Sequence, residues 1–287
     1  MKRVAVIGAG TMGHGIAQMS ALAGYHTCLT DANAAILPHA LERIRANLAG
    51  GVSRGKIGQD AADAALERLD MVDTPADAVG EVDFVVEAIV ENLEIKQTLF
   101  RLISAHAPTT AVLASNTSSL SIAAIAAAVE LPERVVGMHF FNPVHIMKLL
   151  EVVRHEGTRD DTVEAAVAFG IAMGKEPIVV RDRPGFASSR LGLAIGLEAM
   201  RMVEEDVARP EAIDKAMKLG YGHPMGPLEL SDLVGLDVRL SIAEYLHREL
   251  DAPHFKPPQI LLDMVTRGDL GKKSGKGFYE WPRTKSS

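Results

Sequence analysis

Val4-Ala-Val-Ile-Gly-Ala-Gly-Thr-Met-Gly13 contains the pattern from which the architecture of this chain can be predicted. An apolar run that ends at Ile7 is typical of a buried strand, and a Gly-x-Gly-x-x-Gly spacing follows it directly. A helical pattern then covers Met12–Ala23, and a second apolar run ends at Asp31. Strand, glycine turn, helix and strand in this order predict the first βαβ unit of a dinucleotide-binding domain.

The three glycines of this turn each have a separate role in dinucleotide binding. Gly8 allows the tight turn, Gly10 lets a pyrophosphate approach the backbone, and Gly13 permits close packing of helix on strand. Asp31 can accept hydrogen bonds from the ribose hydroxyls, and its charge repels a 2′-phosphate, so NAD is expected rather than NADP. The predicted cofactor-binding residues of this unit are Gly8, Gly10, Thr11, Met12, Gly13 and Asp31.

Short apolar runs alternate with helical patterns along the first part of the chain. This alternation predicts an α/β fold with a doubly wound, Rossmann-type parallel sheet. Strands are expected at Val4–Ile7, Thr27–Thr30, Phe84–Ala88, Ala111–Ser115, Arg134–Met138, Leu149–Val153 and Ile178–Val180. The helical patterns at Ala34–Leu48 and Ala61–Leu69 are too long for a simple crossover, so a helical hairpin is expected to project from the sheet.

The character of the sequence changes after the segment Arg181-Asp-Arg-Pro-Gly185. The remainder shows helical periodicity, with turn residues such as Pro210 and Pro257-Pro258 between the helices. We therefore expect an NAD-binding domain over residues 1–183 and an all-helical C-terminal domain over residues 184–287.

The composition is that of an ordinary globular protein, with 47% apolar and 23% charged residues in a chain of 287. A net charge of −7 offers no basic field for nucleic acid or for an anionic membrane. The single cysteine, Cys28, excludes an internal disulfide and fits a reducing compartment. No apolar segment is long enough to span a bilayer, and no cluster has metal-ligand spacing. We expect a cytoplasmic protein that binds neither nucleic acid, membrane nor metal.

Polar clusters follow three of the predicted strands, where ligands of open α/β sheets bind. The clusters are Glu87–Asn92, Ser115–Ser119 and His139–Asn142. His139 stands at the end of its predicted strand, and a return strand brings Glu151 back toward it. A histidine paired with a carboxylate beside a nicotinamide can act as the base that oxidation of an alcohol requires.

The chain contains ten histidines, and His139 is the one with a predicted carboxylate partner. His145 and His223 are loop residues beside prolines and are weaker candidates. His14 lies inside the predicted helix of the glycine motif. The remaining histidines have no partner pattern and are expected at the surface: His26, His39, His106, His155, His247 and His254.

Taken together, these motifs resemble the L-3-hydroxyacyl-CoA dehydrogenase family, most closely its single-function 3-hydroxybutyryl-CoA type. The resemblance extends from residue 1 to about Tyr279. It rests on the glycine turn and on Val86-Glu-Ala-Ile-Val-Glu-Asn92, Ser115-Asn-Thr-Ser-Ser119, His139-Phe-Phe-Asn-Pro143 with Glu151, Pro184-Gly-Phe186 and Pro224-Met-Gly-Pro-Leu-Glu229. It implies reversible oxidation of an L-3-hydroxyacyl-CoA to the 3-oxoacyl-CoA, with NAD as cofactor.

The resemblance also implies roles for individual residues. His139 would be the general base for the C3 hydroxyl, and Glu151 would fix the tautomer of the imidazole. Ser118 and Asn142 would hold the reacting oxygen and the nicotinamide in place. Further cofactor contacts are implied at Glu91, Lys96 and Lys273.

The acyl-CoA substrate carries phosphates, which an acidic protein must meet with a local basic patch. The resemblance places coenzyme A on the helical hairpin, where Arg54 and Lys56 lie. Family members commonly have Asn within Pro-Gly-Phe-x-x-Asn-Arg, and this chain has Ser189 at that position. Because serine is shorter than asparagine, we expect a pocket that accepts bulkier or functionalised acyl groups, such as a hydroxyadipyl chain.

Two other functions are compatible with these residues. One is an NAD-dependent dehydrogenase of a free hydroxy acid or sugar acid, against which the basic hairpin argues. The other is a non-catalytic NAD-binding protein of the lens-crystallin kind, against which the intact pair of His139 and Glu151 argues. The apolar helix Leu191–Val203 and the resemblance together predict a homodimer.

Overall fold

The structure is a computed structural model, and it describes residues 2–282. These residues divide into two compact units, one that ends at Arg183 and one that begins at Pro184. The first unit is built on an eight-stranded sheet. Its strands are β1 (Arg3–Ile7), β2 (His26–Thr30), β3 (Leu69–Met71), β4 (Phe84–Glu87), β5 (Val112–Ser115), β6 (Val135–Phe140), β7 (Leu149–Arg154) and β8 (Glu176–Arg181).

The strand order across the sheet is β3-β2-β1-β4-β5-β6-β7-β8. Neighbouring strands are parallel, except that β7 runs antiparallel to β6. The helices of this unit are α1 (Gly13–Leu22), α2 (Leu37–Ser53), α3 (Gln59–Glu67), α4 (Pro75–Val79), α5 (Leu93–His106), α6 (Ile122–Ala126) and α7 (Asp160–Ala172). The order 3-2-1-4-5-6 is that of a doubly wound dinucleotide-binding sheet, so the predicted fold class is confirmed.

The centre of the sheet is apolar on both faces. All residues of Val4–Ile7 in β1 are buried, and both α1 and α4 pack against this strand. A strand covered on both faces needs a continuous apolar run rather than an alternating one, which is the pattern the sequence shows. The same core includes Phe84 on β4 and Phe169 on α7, whose ring centroids lie 4.7 Å apart. This core fixes the strand ends that carry the polar clusters.

The predicted hairpin is formed by α2 and α3, which pack on each other and on α1. One boundary within it was wrong: the helix predicted over Ala61–Leu69 ends at Glu67, and Leu69–Met71 forms strand β3. This strand pairs in parallel with Thr27–Leu29 of β2. The edge of β2 carries backbone N–H and C=O groups that need hydrogen-bond partners. If the helix continued to Leu69, strand β3 could not supply them.

The second unit is helical and has its own apolar core. Its helices are α8 (Ser188–Glu204), α9 (Pro210–Gly220), α10 (Pro227–Val234), α11 (Leu236–Leu250) and α12 (Gln259–Arg267). Two buried carboxylates hold its backbone together. Asp214 accepts hydrogen bonds from the N–H groups of Leu228 and Glu229 at the start of α10. Asp232 accepts them from the N–H groups of Phe278 and Tyr279. The predicted all-helical C-terminal part is confirmed.

Candidate active site

The carboxyl ends of β4, β5 and β6 lie side by side, because these strands are adjacent and parallel. Each end carries one of the predicted polar clusters. Asn116 connects two of them: its Oδ1 accepts a hydrogen bond from the N–H of Phe140 at 3.0 Å. The sheet therefore brings residues from three distant parts of the sequence to one edge.

His139 and Glu151 face each other across β6 and β7, whose register pairs them directly. Nδ1 of His139 lies 2.7 Å from Oε2 of Glu151. Glu151 has no exposed surface and His139 is 6% exposed, so water does not compete for this contact. A carboxylate can only accept a hydrogen bond, so Nδ1 donates and Nε2 lies on the far side of the ring. The ring of Phe141 packs 4.4 Å from the imidazole.

Glu91 organises the segment that carries Ser118. Its Oε1 accepts hydrogen bonds from Oγ1 of Thr117 at 2.6 Å and from the N–H of Ser118 at 2.9 Å. Charge-assisted hydrogen bonds of this kind are among the stronger ones in proteins. The structure thus shows a local role for Glu91, in addition to the cofactor contact that the resemblance implies.

Lys96 is fully buried beneath the same edge. Its Nζ lies 2.5 Å from Oε1 of Glu87, whose Oε2 accepts a hydrogen bond from Oγ of Ser115 at 2.6 Å. Burial raises the pKa of Glu87, and the Lys96 ammonium acts in the opposite direction. A second carboxylate oxygen, Oε2 of Glu91, lies 3.8 Å from Nζ. The contacts that the structure shows for Lys96 are therefore with groups of the protein itself.

The loop after β6, which carries Asn142 and a cis Asn142–Pro143 peptide, is held by a residue that the sequence analysis did not single out. Lys175 is buried, and its Nζ donates hydrogen bonds to the carbonyl groups of Val144 and Met147. Burial lowers the pKa of Lys175. The two carbonyls are 31 and 28 residues away along the chain, and no motif marks a lysine for such contacts.

The glycine turn has the geometry that a bound pyrophosphate needs. A Cβ at Gly13 would lie 1.6 Å from the carbonyl oxygen of Gly8, so α1 approaches β1 as closely as the motif requires. A Cβ at Gly10 would meet nothing within 4 Å, which leaves open space in front of the backbone. Thr11 is exposed, and Met12 is the N-cap of α1 with no side-chain hydrogen bond to the helix. The N–H groups and positive end of the helix dipole can therefore act on an anion.

Asp31 follows β2 at the same edge of the sheet. Its Oδ2 accepts a hydrogen bond from the N–H of Ala9 at 2.8 Å, and its Oδ1 accepts one from the N–H of Asn33 at 2.9 Å. Each carboxylate oxygen has a second lone pair that can accept from a ribose hydroxyl. The residues present therefore fit an NAD molecule in the position that the motif predicts.

The predicted coenzyme A residues lie at the tip of the helical hairpin. Arg54 is the C-cap of α2, and both Arg54 and Lys56 are exposed. The pKa of His145 is lowered by burial and by the nearby charges of Arg54 and Lys175. Arg54 at the tip of the hairpin is therefore close enough for its charge to act on His145 in the loop after β6.

Two predicted site residues belong to the second unit. Ser189 lies in the first turn of α8. Lys273 follows α12, and its Nζ donates a hydrogen bond to Oδ2 of Asp237 at 2.6 Å.

The expectation that His155 lies at the surface was wrong. His155 is buried, its Nε2 lies 3.0 Å from the carbonyl oxygen of Pro132, and its Nδ1 accepts a hydrogen bond from the N–H of Gly157. These contacts tie a loop after β7 to the segment before β6. These hydrogen bonds stabilise the fold, and no pattern in the sequence predicts them.

Neither a membrane-spanning helix nor a metal site is found in the described part of the chain, residues 2–282. No helix there combines the length and apolar character that crossing a membrane requires. No group of three or more His, Cys, Asp and Glu side chains is placed to hold a metal ion.

Models of two protein families match the chain almost end to end. The model described as "3-hydroxyacyl-CoA dehydrogenase, NAD binding domain" matches residues 3–183, and that of the "3-hydroxyacyl-CoA dehydrogenase, C-terminal domain" matches residues 185–281. The chain belongs to the 3-hydroxyacyl-CoA dehydrogenase family. As a member of this family, the dehydrogenase is an NAD-dependent oxidoreductase, and the predicted enzyme class and cofactor are confirmed.

Individual relatives resemble the dehydrogenase over its full length. The probable 3-hydroxybutyryl-CoA dehydrogenase of Bacillus subtilis is 44% identical over 98% of both chains. The 3-hydroxybutyryl-CoA dehydrogenase of Bradyrhizobium diazoefficiens is 42% identical over 98% of this chain and 96% of its own. The crystal structure of (S)-3-hydroxybutyryl-CoA dehydrogenase from Ralstonia eutropha is 36% identical and superposes with a TM-score of 0.95, covering 99% and 100% of the two chains.

Proposed function

We propose that the dehydrogenase oxidises L-3-hydroxybutyryl-CoA, or an L-3-hydroxyacyl-CoA with a related acyl chain, and that His139 and Glu151 carry out the proton transfer. The observation that carries this proposal is the 2.7 Å hydrogen bond between His139 and the fully buried Glu151, at the same edge of the sheet as the dinucleotide turn. Full-length relatives with 42% and 44% identity, named for 3-hydroxybutyryl-CoA, support the choice of substrate.

His139 acts through Nε2, because Nδ1 is occupied by Glu151. Nε2 takes the proton of the C3 hydroxyl while the C3–H bond breaks and the C3–O double bond forms. NAD⁺, when bound, supplies the acceptor for the hydride that leaves C3. Glu151 keeps Nδ1–H oriented and stabilises the positive charge that develops on the imidazole, as in other histidine–carboxylate pairs. In the reverse direction the imidazolium returns the proton to the carbonyl oxygen.

Ser118 and Asn142 hold the reacting oxygen and the nicotinamide in this proposal. Both lie on segments that other side chains keep in place. Glu91 binds the backbone of Ser118, and Lys175 binds two carbonyl groups of the loop that carries Asn142. Fixed positions of this kind are what catalysis by orientation requires. Lys96 supports the cofactor site through its ion pairs with Glu87 and Glu91. Lys273 acts as a further cofactor contact.

Coenzyme A is bound by the basic tip of the hairpin. The exposed side chains of Arg54 and Lys56 supply charge for its phosphates, in a protein whose net charge is −7. We also assign Ser189 to the residues that bind the acyl group, because its motif resembles that of the family.

We further propose a homodimer in the cytoplasm. The second unit leaves apolar side chains of α8 exposed, among them Leu191 at 65% and Ile195 at 38%. Exposed apolar patches of this kind are typical of subunit contacts. Light scattering at micromolar concentration tests the assembly, and a mass of one chain would contradict it.

The test of the proposed reaction follows NADH absorbance with acetoacetyl-CoA as substrate. Wild type, His139→Gln and the control His39→Gln, an exposed residue on α2, are compared. We expect His139→Gln to lose a factor of roughly 10²–10⁴ in kcat, because positioned acid–base groups contribute that much. His39→Gln should equal wild type, and NADPH should replace NADH poorly.

The outcomes separate the parts of the proposal. Turnover that survives His139→Gln would keep the reaction and move the proton transfer to another group, with His145 the next candidate. Bound NADH without turnover of acetoacetyl-CoA would refute the proposed substrate. A full-length relative named for 3-hydroxybutyryl-CoA makes turnover the expected result.

A further inference from the structure

The loop between β6 and β7 carries a histidine that the proposed proton transfer does not use. His145 is half-buried, and within residues 2–282 neither of its ring nitrogens makes a hydrogen bond or an ion pair. The backbone on either side of it is held in place, because the carbonyl groups of Val144 and Met147 accept hydrogen bonds from the buried Lys175. The imidazole of His145 is therefore positioned by its loop and available to a ligand.

Val144 packs this loop against α1. A Cβ at Gly15 would lie 2.9 Å from Cβ of Val144, so the loop and the helix are in direct contact there. On its other side α1 packs on α2, where Nδ2 of Asn47 donates a hydrogen bond to Oε1 of Gln18 at 3.0 Å. The loop, α1 and α2 thus lie next to one another within the first unit.

The face of α2 that meets α1 carries two arginines. Arg43, Asn47, Gly50 and Arg54 follow one another at spacings of three or four residues, so they lie along one face of the helix. The guanidinium group of Arg54 turns back over this face, since a Cβ at Gly50 would be 3.2 Å from its Nη1. Neither arginine has a hydrogen bond or an ion pair in the described part of the chain. Their charges are therefore available to an anion.

The charges that act on His145 all come from cations. Burial lowers the pKa of its imidazole, and the charges of Arg54 and Lys175 lower it further. On the same loop, Nζ of Lys148 is paired with Oε1 of Glu176 at 3.2 Å, so the loop adds no free carboxylate that would oppose them. An anion bound beside His145 would reverse this balance, because an opposite charge favours the protonated imidazole.

His14 is the titratable group that α1 adds to this region. Its Nδ1 donates a hydrogen bond to the carbonyl group of Gly10 at 2.7 Å, which ties it to the glycine turn. Its pKa is lowered, first by burial and then by the charges of Arg43 and His145, although the hydrogen bond to Gly10 acts in the opposite direction. Cations of α1, of α2 and of the loop thus share one region of the first unit.

We propose that His145 and Arg54 together bind a phosphate group of coenzyme A, and that His145 takes up a proton when this phosphate binds. The inference rests on the proposed function, in which Arg54 belongs to the coenzyme A site. Phosphate oxygens accept charge-assisted hydrogen bonds from both guanidinium and imidazolium groups. NAD carries phosphates as well, but it is His14, and not His145, that bonds to the glycine turn.

Proton uptake sets the direction of the pH dependence. In the free protein His145 loses its proton below its ordinary pKa of 6.5, and the bound phosphate raises that pKa again. Between the two values binding of the phosphate consumes a proton, so affinity falls as the pH rises. The KM for acetoacetyl-CoA should therefore increase from about pH 6 to about pH 8, and the part of this increase that is due to His145 should vanish in its variants.

The kinetic test compares acetoacetyl-CoA with acetoacetyl-pantetheine, which keeps the thioester but carries no phosphate. At about pH 6, His145→Gln should raise the KM for acetoacetyl-CoA roughly 10-fold and leave kcat unchanged, since a hydrogen bond to a charged group is worth at least that much. The kcat/KM for acetoacetyl-pantetheine should not change. His145→Lys keeps a positive charge over this pH range, so it should retain affinity and lose the pH dependence.

Matched controls come from the same helix α2. His39→Gln removes an exposed histidine and should leave both KM values and their pH profiles at the wild-type level. Arg54→Met should raise the KM for acetoacetyl-CoA, whereas Arg45→Met, which removes an exposed arginine from a different face of α2, should raise it less.

Calorimetry gives a readout that does not depend on turnover. Coenzyme A is titrated into wild type and His145→Gln in two buffers that differ in their enthalpy of ionisation, and the difference in heat gives the number of protons taken up. Wild type should take up more protons than His145→Gln, and the comparison cancels any protonation of the phosphate itself. The Kd for NADH, titrated in the same way, should be equal in the two proteins.

Equal proton uptake by wild type and His145→Gln, or an unchanged KM for acetoacetyl-CoA, overturns the proposal. An equal loss with acetoacetyl-pantetheine also overturns it, because that substrate has no phosphate to lose. A weaker Kd for NADH in His145→Gln would assign the phosphate to the cofactor instead. Failure of the proposed function is distinguishable: acetoacetyl-CoA would not be reduced at all, and the titration with coenzyme A would still decide the role of His145.

Discussion

His139 on β6 and Glu151 on β7 are direct register partners, and their 2.7 Å hydrogen bond lies in a region closed to water. Because β7 runs antiparallel to β6, two residues that are twelve positions apart in the sequence lie opposite each other. The carboxylate is thereby held by two strands of the sheet and not by a loop. Its position should be insensitive to ligand binding.

Glu151→Gln should lower kcat while leaving the fold intact. The amide has the same shape but no charge, so it supports the developing imidazolium less well than the carboxylate does. We expect a loss of roughly 10²–10⁴ in kcat, with KM for acetoacetyl-CoA and the Kd for NADH close to wild type. Stopped-flow and steady-state kinetics measure these quantities. Glu156→Gln, an exposed residue, is the control. A kcat within about threefold of wild type would assign Glu151 a purely structural role.

Gly10→Ala and Gly13→Ala should fail in different ways, although both change a glycine of the same turn. A methyl group at Gly10 meets no protein atom within 4 Å, so the fold should survive and NADH affinity should drop. A methyl group at Gly13 would overlap the carbonyl oxygen of Gly8 at 1.6 Å, so the thermal midpoint should drop. Thermal unfolding and NADH titration distinguish the two. Unchanged NADH affinity in Gly10→Ala would contradict the placement of the pyrophosphate.

Asp31→Ser should weaken discrimination against NADP. The carboxylate oxygens face the end of β2, where the ribose hydroxyls of NAD are expected. Removing the charge should lower kcat/KM for NADH by roughly 10-fold or more and raise the NADPH-to-NADH ratio. The measurement is the ratio of kcat/KM for the two cofactors. If the ratio stays at its wild-type value, Asp31 does not select the cofactor, and its role is to accept hydrogen bonds from the N–H groups of Ala9 and Asn33.

Asp83 should give the protein an acid-dependent part of its stability. The N–H groups of Lys2 and Arg3 donate to its Oδ2 and lower its pKa from 3.8. Because the folded pKa is below the unfolded one, this stabilisation is complete above pH 3.8 and is lost as the pH falls through the lowered folded value.

Urea unfolding of wild type and Asp83→Asn at several pH values tests this expectation. The difference in unfolding free energy should be largest near neutral pH and should shrink below pH 3.8. Asp73→Asn, an exposed aspartate, should show no such trend. A difference that stays constant with pH would mean that the asparagine accepts the same hydrogen bonds equally well.

Local patterns in the sequence were enough to predict the dinucleotide unit, most strands, the helical second part and the pairing of His139 with Glu151. Each of these depends on a period or a spacing within a few tens of residues, such as the run from Val4 to Gly13. The resemblance to the family added the substrate class, and the family models confirmed it.

Other features became visible only when distant segments were brought together. Strand β3 pairs with the edge of β2, and the buried Lys96 pairs with the buried Glu87. Lys175 holds a loop about thirty residues away along the chain. Periodicity reports which face of an element is apolar, whereas strand pairing and the burial of a charge depend on which other element lies beside it.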